Sequence, residues 1–132
     1  MTDRSTIHAI LVAARKRIEN PANWCQEWHF LFTDGTPWLW SSVITESGYL
    51  LPGPEQLAYV RTNVARCCAD GAILLEVLND QSQAYIEAED IMRTEAQRLY
   101  GMTYSKVNDS EDGHAKVLKV FDAAIAWASE AE

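Results

Sequence analysis

The chain predicts a mainly α fold, with about four helices and one β-hairpin (α+β, small β content). Three observations carry this. Apolar residues recur at spacings of three and four in several separate stretches, the mark of amphipathic helices. One aromatic and β-branched stretch is interrupted by Asp34-Gly35, a hairpin signal. No internal repeat, low-complexity tract or linker divides the 132 residues, so 1–132 reads as a single domain.

The first helix is expected over about Thr6–Glu19, capped by Ser5. Ile7, Ile10, Leu11, Ala14 and Ile18 form its apolar stripe. Lys16 and Arg17 sit in its last turn, where the helix dipole favours cations. Pro21 stops it and pushes Asn20 out of helical geometry. The hairpin is expected over about Glu27–Thr33 and Thr36–Val43, with Pro37 on an edge because it cannot donate to a ladder. Gly48 and Leu51-Pro-Gly-Pro54 mark a loop. A second helix then starts at Pro54 and follows Leu57, Val60, Val64, Cys67, Cys68, Gly71, Leu74, Leu75 and Leu78 as far as Asn79. Asp70-Gly71 is a point where it breaks or kinks, or where Gly71 packs closely against another helix. A third helix, about Gln83–Tyr100, carries Ile86, Ile91, Met92, Ala96 and Leu99, with Gly101 at its C-terminal cap. Met102–Val107 reads as extended. The last helix starts near Asp112 and turns Val117, Leu118, Phe121, Ala124, Ile125 and Ala128 inward.

Composition narrows the function classes. Hydrophobic and charged fractions of 48% and 23% are those of a globular protein, and the formal net charge is −8. An acidic balance argues against nucleic acid as a partner, since phosphate-backbone binding needs clustered Lys and Arg. It leaves basic protein partners, or a nucleic-acid-mimicking inhibitor, open. No apolar run approaches the about 20 residues of a membrane span, so no membrane association is expected. Cys25, Cys67 and Cys68 are an odd set, two of them adjacent, and Met1-Thr-Asp-Arg leads directly into a helix pattern. The expectation is reduced thiols in a cytoplasmic protein. His8, His29 and His114 are scattered, with neither His-x-x-x-His nor Cys-x-x-Cys, so no metal and no cofactor is expected.

Three stretches line up with a known family. They are Ile18-Glu-Asn-Pro-Ala-Asn-Trp-Cys-Gln26, Arg66-Cys-Cys-Ala-Asp-Gly-Ala72, and Val107-Asn-Asp followed by Gly113-His-Ala-Lys-Val-Leu and Phe121-Asp-Ala-Ala-Ile125. In this order they resemble domain of unknown function 6197, a family of small bacterial and phage proteins. Matches fall on Trp24, Gln26, Cys68, Gly71, Ala72, Asn108, Asp109, His114, Phe121 and Asp122. Departures are Cys67 and Val107, where the family often has Trp, and Cys25, where Thr is common. The resemblance implies the fold and assigns no activity.

The matched polar residues read in two ways. Asn108 and Asp109 either cap the last helix or form a polar corner that binds a ligand. His114, in that helix's first turn, leans toward the neutral form, because the positive helix end disfavours imidazolium. A neutral His114 beside Asp109 makes these two the candidate catalytic pair, a general base and its partner, although no Ser or Cys nucleophile stands in a recognisable elbow. Trp24 reads as a core anchor whose indole N–H bonds a backbone carbonyl or Gln26. The ligand-binding candidates are therefore Trp24, Gln26, Asn108, Asp109 and His114. Cys68 reads as a small packed hydrophobe. Trp28, Phe30, Trp38 and Trp40 are the interface candidates: the hairpin carries aromatics on both faces, and a chain this small has little material to bury both. They are either an interface or the domain's own core.

The first functional reading is a non-catalytic protein- or ligand-binding module, expected to be a homodimer and to have a protein partner. Phage members of the resembled family make an accessory role against a host conceivable. The alternative is a small hydrolase-like enzyme using the Asn108-Asp109/His114 corner.

Overall fold

The computed structural model describes residues 3–39 and 53–129. Six helices and a two-stranded antiparallel sheet make up the described chain: α1 (Arg4–Ile18), β1 (Phe30–Phe32), α2 (Gly53–Asn63), β2 (Val64–Cys67), α3 (Ala69–Val77), α4 (Gln83–Tyr100), α5 (Tyr104–Asn108) and α6 (Gly113–Ser129). A single 3-10 turn, Pro21–Asn23, follows α1.

The helices with strong periodicity form as the sequence predicts. α1 buries Ile7, Leu11, Ala14 and Ile18, although its N-cap is Asp3 rather than Ser5; the Asp3 carboxylate accepts from Thr6 N–H at 2.9 Å and from the Ser5 hydroxyl at 2.6 Å. α4 spans the expected residues, with Ser82 as N-cap and Gly101 at φ 68° closing its end. Its buried stripe is Tyr85, Ala88, Met92 and Ala96, while Ile86 and Leu99 face outward. α6 buries Val117, Val120, Phe121, Ala124 and Ala128, with Leu118 and Ile125 at the core margin. α1 packs chiefly against α3 and α6, and α4 against α6 and α3, so α3 is enclosed by neighbours. That is why its sequence, Ala-Asp-Gly-Ala-Ile-Leu-Leu, is apolar nearly all round.

The helix count exceeds about four for two reasons. The long second helix is divided into α2 and α3 by β2. Val64 and Cys67 keep helical spacing, but Val64–Cys67 pairs with β1 instead, Phe30 opposite Cys67 and Leu31 opposite Arg66. Cys68 then caps α3, its sulfur accepting from Gly71 N–H at 3.3 Å. The second departure is α5, which forms where extended chain was expected, capped by Thr103.

The reversal at Asp34-Gly35 occurs as expected. Phe32 N–H donates to Thr36 O at 2.9 Å, Trp38 N–H donates to Phe30 O at 3.0 Å, and Leu31 bridges Pro37. Residues 40–43 of the expected second arm, Trp40 among them, lie outside the described residues. β1 therefore has β2 on one edge and the returning arm on the other.

This placement corrects two interface candidates. Phe30 is 0% exposed and Trp38 3%, and their rings meet edge to face at 5.1 Å. Both lie in the domain's own core, because β1 is pressed onto the start of α3. Gly71 permits that approach. A Cβ there would stand 2.3 Å from the carbonyl oxygen of His29, so the glycine packs against the strand and not against another helix.

Candidate functional site

Two polar assemblies flank the segment Trp24–His29, which leads into β1. The first is built on Asn108, the last residue of α5, which is 2% exposed. Its side-chain oxygen accepts from the Trp24 indole N–H at 2.8 Å and from Ala69 N–H, at the start of α3, at 3.0 Å. Its amide nitrogen donates to Cys25 O at 3.0 Å and to the Asp109 carboxylate at 3.1 Å. One buried amide thus fastens three chain segments. Gln26 donates from its amide to Asn108 O and Ser110 O at 3.1 and 3.0 Å. His114 bonds Ile18 O, at the end of α1, through Nε2 at 2.8 Å, and its ring lies 5.2 Å from that of Trp24. Gly113 starts α6 directly over Asn108, where a Cβ would meet the Asn108 carbonyl oxygen at 2.3 Å.

The structure therefore brings Trp24, Gln26, Asn108, Asp109 and His114 together. Most of their polar atoms are bonded to backbone groups of neighbouring segments. Asp109 and His114 do not bond each other; Asp109 accepts from Glu27 N–H at 2.8 Å. Four of the five also line a shallow surface depression with Ser110 and Gly113.

The second assembly centres on Asp70, in the first turn of α3. One carboxylate oxygen accepts from the hydroxyls of Tyr85 on α4 (2.6 Å) and Tyr104 on α5 (2.7 Å). The other contacts His29 Nε2 at 2.7 Å. The Asp70 side chain is 13% exposed and that of His29 46%, so the carboxylate is sheltered while the imidazole faces outward. A cleft of about 120 Å³ opens here, lined by Glu27, Trp28, His29, Asp70, Ser105 and Asp109 with Cys68 and Asn108 beneath.

Electrostatics follow from this geometry. The hydrogen bond to Asp70 raises the His29 pKa above the ordinary value; burial opposes it, and the Asp70 charge adds to it. Burial alone would raise the Asp70 carboxyl, but the hydrogen bonds from His29 and Tyr85, the His29 charge and Tyr104 outweigh it and hold the pKa below normal. Tyr85 and Tyr104 are pushed up, by burial first and then by the Asp70 charge, so both keep their protons and donate. Burial also pushes Cys25 up to about 11, Cys67 up to about 12 and Cys68 well above its ordinary value. The thiols are accordingly held protonated, and none is an activated thiolate.

Glu27 has φ 73°, a left-handed conformation that costs a non-glycine residue about 1 kcal/mol or more. Asp109 holds it there through the Glu27 N–H. The result is that Glu27, Trp28 and His29 project around the cleft, with Trp28 42% exposed. Among the described residues, no three His, Cys, Asp or Glu side chains are grouped to hold a metal ion, and no helix is long and apolar enough to cross a membrane.

The model of a family of unknown function, DUF6197, matches residues 2–126. The chain belongs to that family. No curated protein and no solved structure matches it. The family stretches identified from sequence contribute to both assemblies: Trp24, Gln26, Asn108, Asp109 and His114 to the first, and Cys68 with Gly71 to the frame of the second. Sequence reasoning missed the second assembly itself. Its members come from three helices and the segment before β1, and the local sign was Asp70 beside Gly71, which read as a helix break.

Proposed function

We propose that the domain is a non-catalytic binding module whose cleft receives a cationic group, a lysine or arginine side chain of a basic protein partner. The observation that carries this reading is the convergence of Glu27, Asp70 and Asp109 around an exposed Trp28. Carboxylates beside an aromatic face suit a guanidinium or ammonium, which gains charge attraction and a cation–π contact together. Among the described residues the Glu27 carboxylate makes no hydrogen bond, and one oxygen of Asp109 is likewise without one, which leaves acceptors for an incoming donor. The strain at Glu27 fits the same reading, because strained backbone persists where it presents a group for use. A second copy of this chain, with net charge −8, is a poorer occupant than a basic partner. With Phe30 and Trp38 committed to the core, Trp28 is the interface aromatic left exposed among the described residues.

The hydrolase-like alternative has less support at Asp109 and His114, because His114 Nε2 is bonded to Ile18 O and the two side chains do not meet. Proton-transfer chemistry is better served by His29, whose Nε2 is fixed on Asp70 and whose Nδ1 makes no hydrogen bond among the described residues. Among the described residues no activated thiolate accompanies it.

Calorimetry with a short Arg/Lys-containing peptide tests the proposal. Saturable binding is expected. Trp28→Ala or Glu27→Gln should weaken it about tenfold, in keeping with the loss of one favourable contact. Protonation of His29 adds a positive charge to the cleft, so affinity should fall as pH drops through its raised pKa. Absence of binding to any basic peptide, or binding indifferent to both substitutions, refutes the reading.

A further inference from the structure

We propose that a second cavity, framed by Arg17, Arg61 and Arg66, binds the phosphate group of a small phosphorylated molecule. It lies away from the acidic cleft, where the end of α1, the 3-10 turn, the end of α2 and β2 meet. Its volume is about 220 Å³, and Asn23 and Val64 complete much of its lining.

The pairing of the arginines sets this cavity apart. Arg15 bonds Glu19 and Asp122, Arg93 bonds Glu89 and Asp90, Arg98 bonds Glu95, and Arg4 lies 3.7 Å from the centre of the Trp127 ring. Arg17 bonds Glu76 through two of its nitrogens. Among the described residues, Arg61 and Arg66 alone of the seven arginines have neither a carboxylate nor an aromatic partner, and both line this cavity. In a chain with 19 acidic and 11 basic residues, two unpaired guanidiniums beside a third are a local reversal of sign. Unpaired like charges held close are unfavourable unless something anionic joins them.

Local structure explains how they converge. Leu31 pairs with Arg66 and Phe32 with Val64, so the ladder skips Ala65. A bulge of this kind bends its strand and re-aims the adjoining side chains, and here Ala65 and Arg66 are both exposed at the cavity. Arg61, in the last turn of α2, precedes the strand by one turn of chain. The Glu76 carboxylate orients Arg17 from one side.

Ligand class follows from charge and shape. Guanidinium forks match tetrahedral and planar oxyanions, and the surplus from Arg61 and Arg66 suits a dianion better than a monocarboxylate. A long nucleic-acid strand would meet the repulsion of the whole molecule, whereas a small phosphate meets only the local field.

Calorimetric titration with inorganic phosphate and then pyrophosphate tests this. Saturable binding is expected, weakening as salt rises, and the double variant Arg61→Gln/Arg66→Gln should raise the dissociation constant tenfold or more. Both side chains are exposed, so the variant should melt like the parent. Asn23→Asp, which adds a negative charge at the rim, should weaken binding in the same direction and stands as an independent check. Trp28→Ala should leave phosphate binding unchanged, which separates this site from the acidic cleft. Equal affinity in the parent and the double variant, or no saturable binding of either probe, overturns the proposal. So does a single-stranded oligonucleotide that binds more tightly than pyrophosphate and loses that binding in the double variant.

Discussion

The Asn108 corner and the His29–Asp70 cleft share a rim at Asp109, yet they use polar groups in opposite ways. At Asn108 both side-chain polar atoms are bonded inside the protein, one oxygen taking two donors and one amide serving two acceptors. At His29 the bonding is one-sided: Nε2 is fixed by a sheltered carboxylate, while the rest of the ring faces a cleft. Saturated, buried polar groups specify a structure. A sheltered group that orients an exposed one is arranged for something outside the chain. Polar residues matched to the family are not thereby functional residues. Most of the matched ones hold the Trp24–Gln26 segment to α3 and α5, and so place the cleft.

Asn108→Ala should have the largest effect. It removes the partner of the Trp24 indole, of Ala69 N–H and of Cys25 O together. Each buried group left unsatisfied costs about 1–3 kcal/mol, and relaxation recovers part, so a loss of about 3–4 kcal/mol is expected in urea unfolding. A loss under about 1 kcal/mol would mean that the corner does not hold the fold and that Asn108 is free for another role.

Gly71→Ala comes next. The new methyl would meet the His29 carbonyl oxygen, which is backbone and cannot swing aside. A cost of about 2–3 kcal/mol is expected from forced separation of α3 and β1. Because His29 moves with its backbone, the cleft should lose peptide affinity as well. Stability lost with affinity intact would show that the cleft tolerates displacement of the strand.

These two positions mark what the sequence makes legible. Helices α1, α4 and α6 are long, carry caps, and bury a stripe that 3.6-residue periodicity reveals. β2 is not legible, because its four residues keep helical spacing and become a strand only through β1, more than thirty residues earlier. α5 is one short turn beyond Gly101, below the length at which periodicity can be read. The Asn108 corner surfaced through its motifs, since Trp24, Gln26 and Asn108 sit in the quoted stretches. Asp70, Tyr85 and Tyr104 meet only after α3, α4 and α5 pack, and no local spacing announces them.

Asp70→Asn tests the cleft itself and should cost about 2 kcal/mol, the scale of hydrogen bonds to a charged acceptor. The pH profile is the more telling readout. Asp70 has a lowered pKa in the folded state, so its stabilisation is present above the ordinary carboxylate value and fades as pH falls through the lowered one. His29 has a raised pKa, so its contribution is present below the ordinary imidazole value and is lost as pH rises through the raised one. Chemical-shift titration of His29 should show its pKa falling toward the ordinary value in the variant, with both stability slopes flattened. An unmoved His29 titration would mean that the pair is not formed in solution.

The smallest effect expected is also the most discriminating. Glu27 occupies left-handed backbone at φ 73°, where glycine carries no Cβ penalty. Relief of about 1–2 kcal/mol of strain is set against the extra chain entropy that glycine brings to the unfolded state, about 0.5–1 kcal/mol. Glu27→Gly should therefore leave stability level or raise it by up to about 1 kcal/mol. The backbone N–H that bonds Asp109 survives the change, so the segment stays in place. If Glu27 is retained only as part of the scaffold, the variant should bind the basic peptide as the parent does. If it is held under strain to offer its carboxylate at the cleft, the same variant should be as stable or more so and yet bind the basic peptide about tenfold more weakly, the separation of stability from use that strain at a binding site implies.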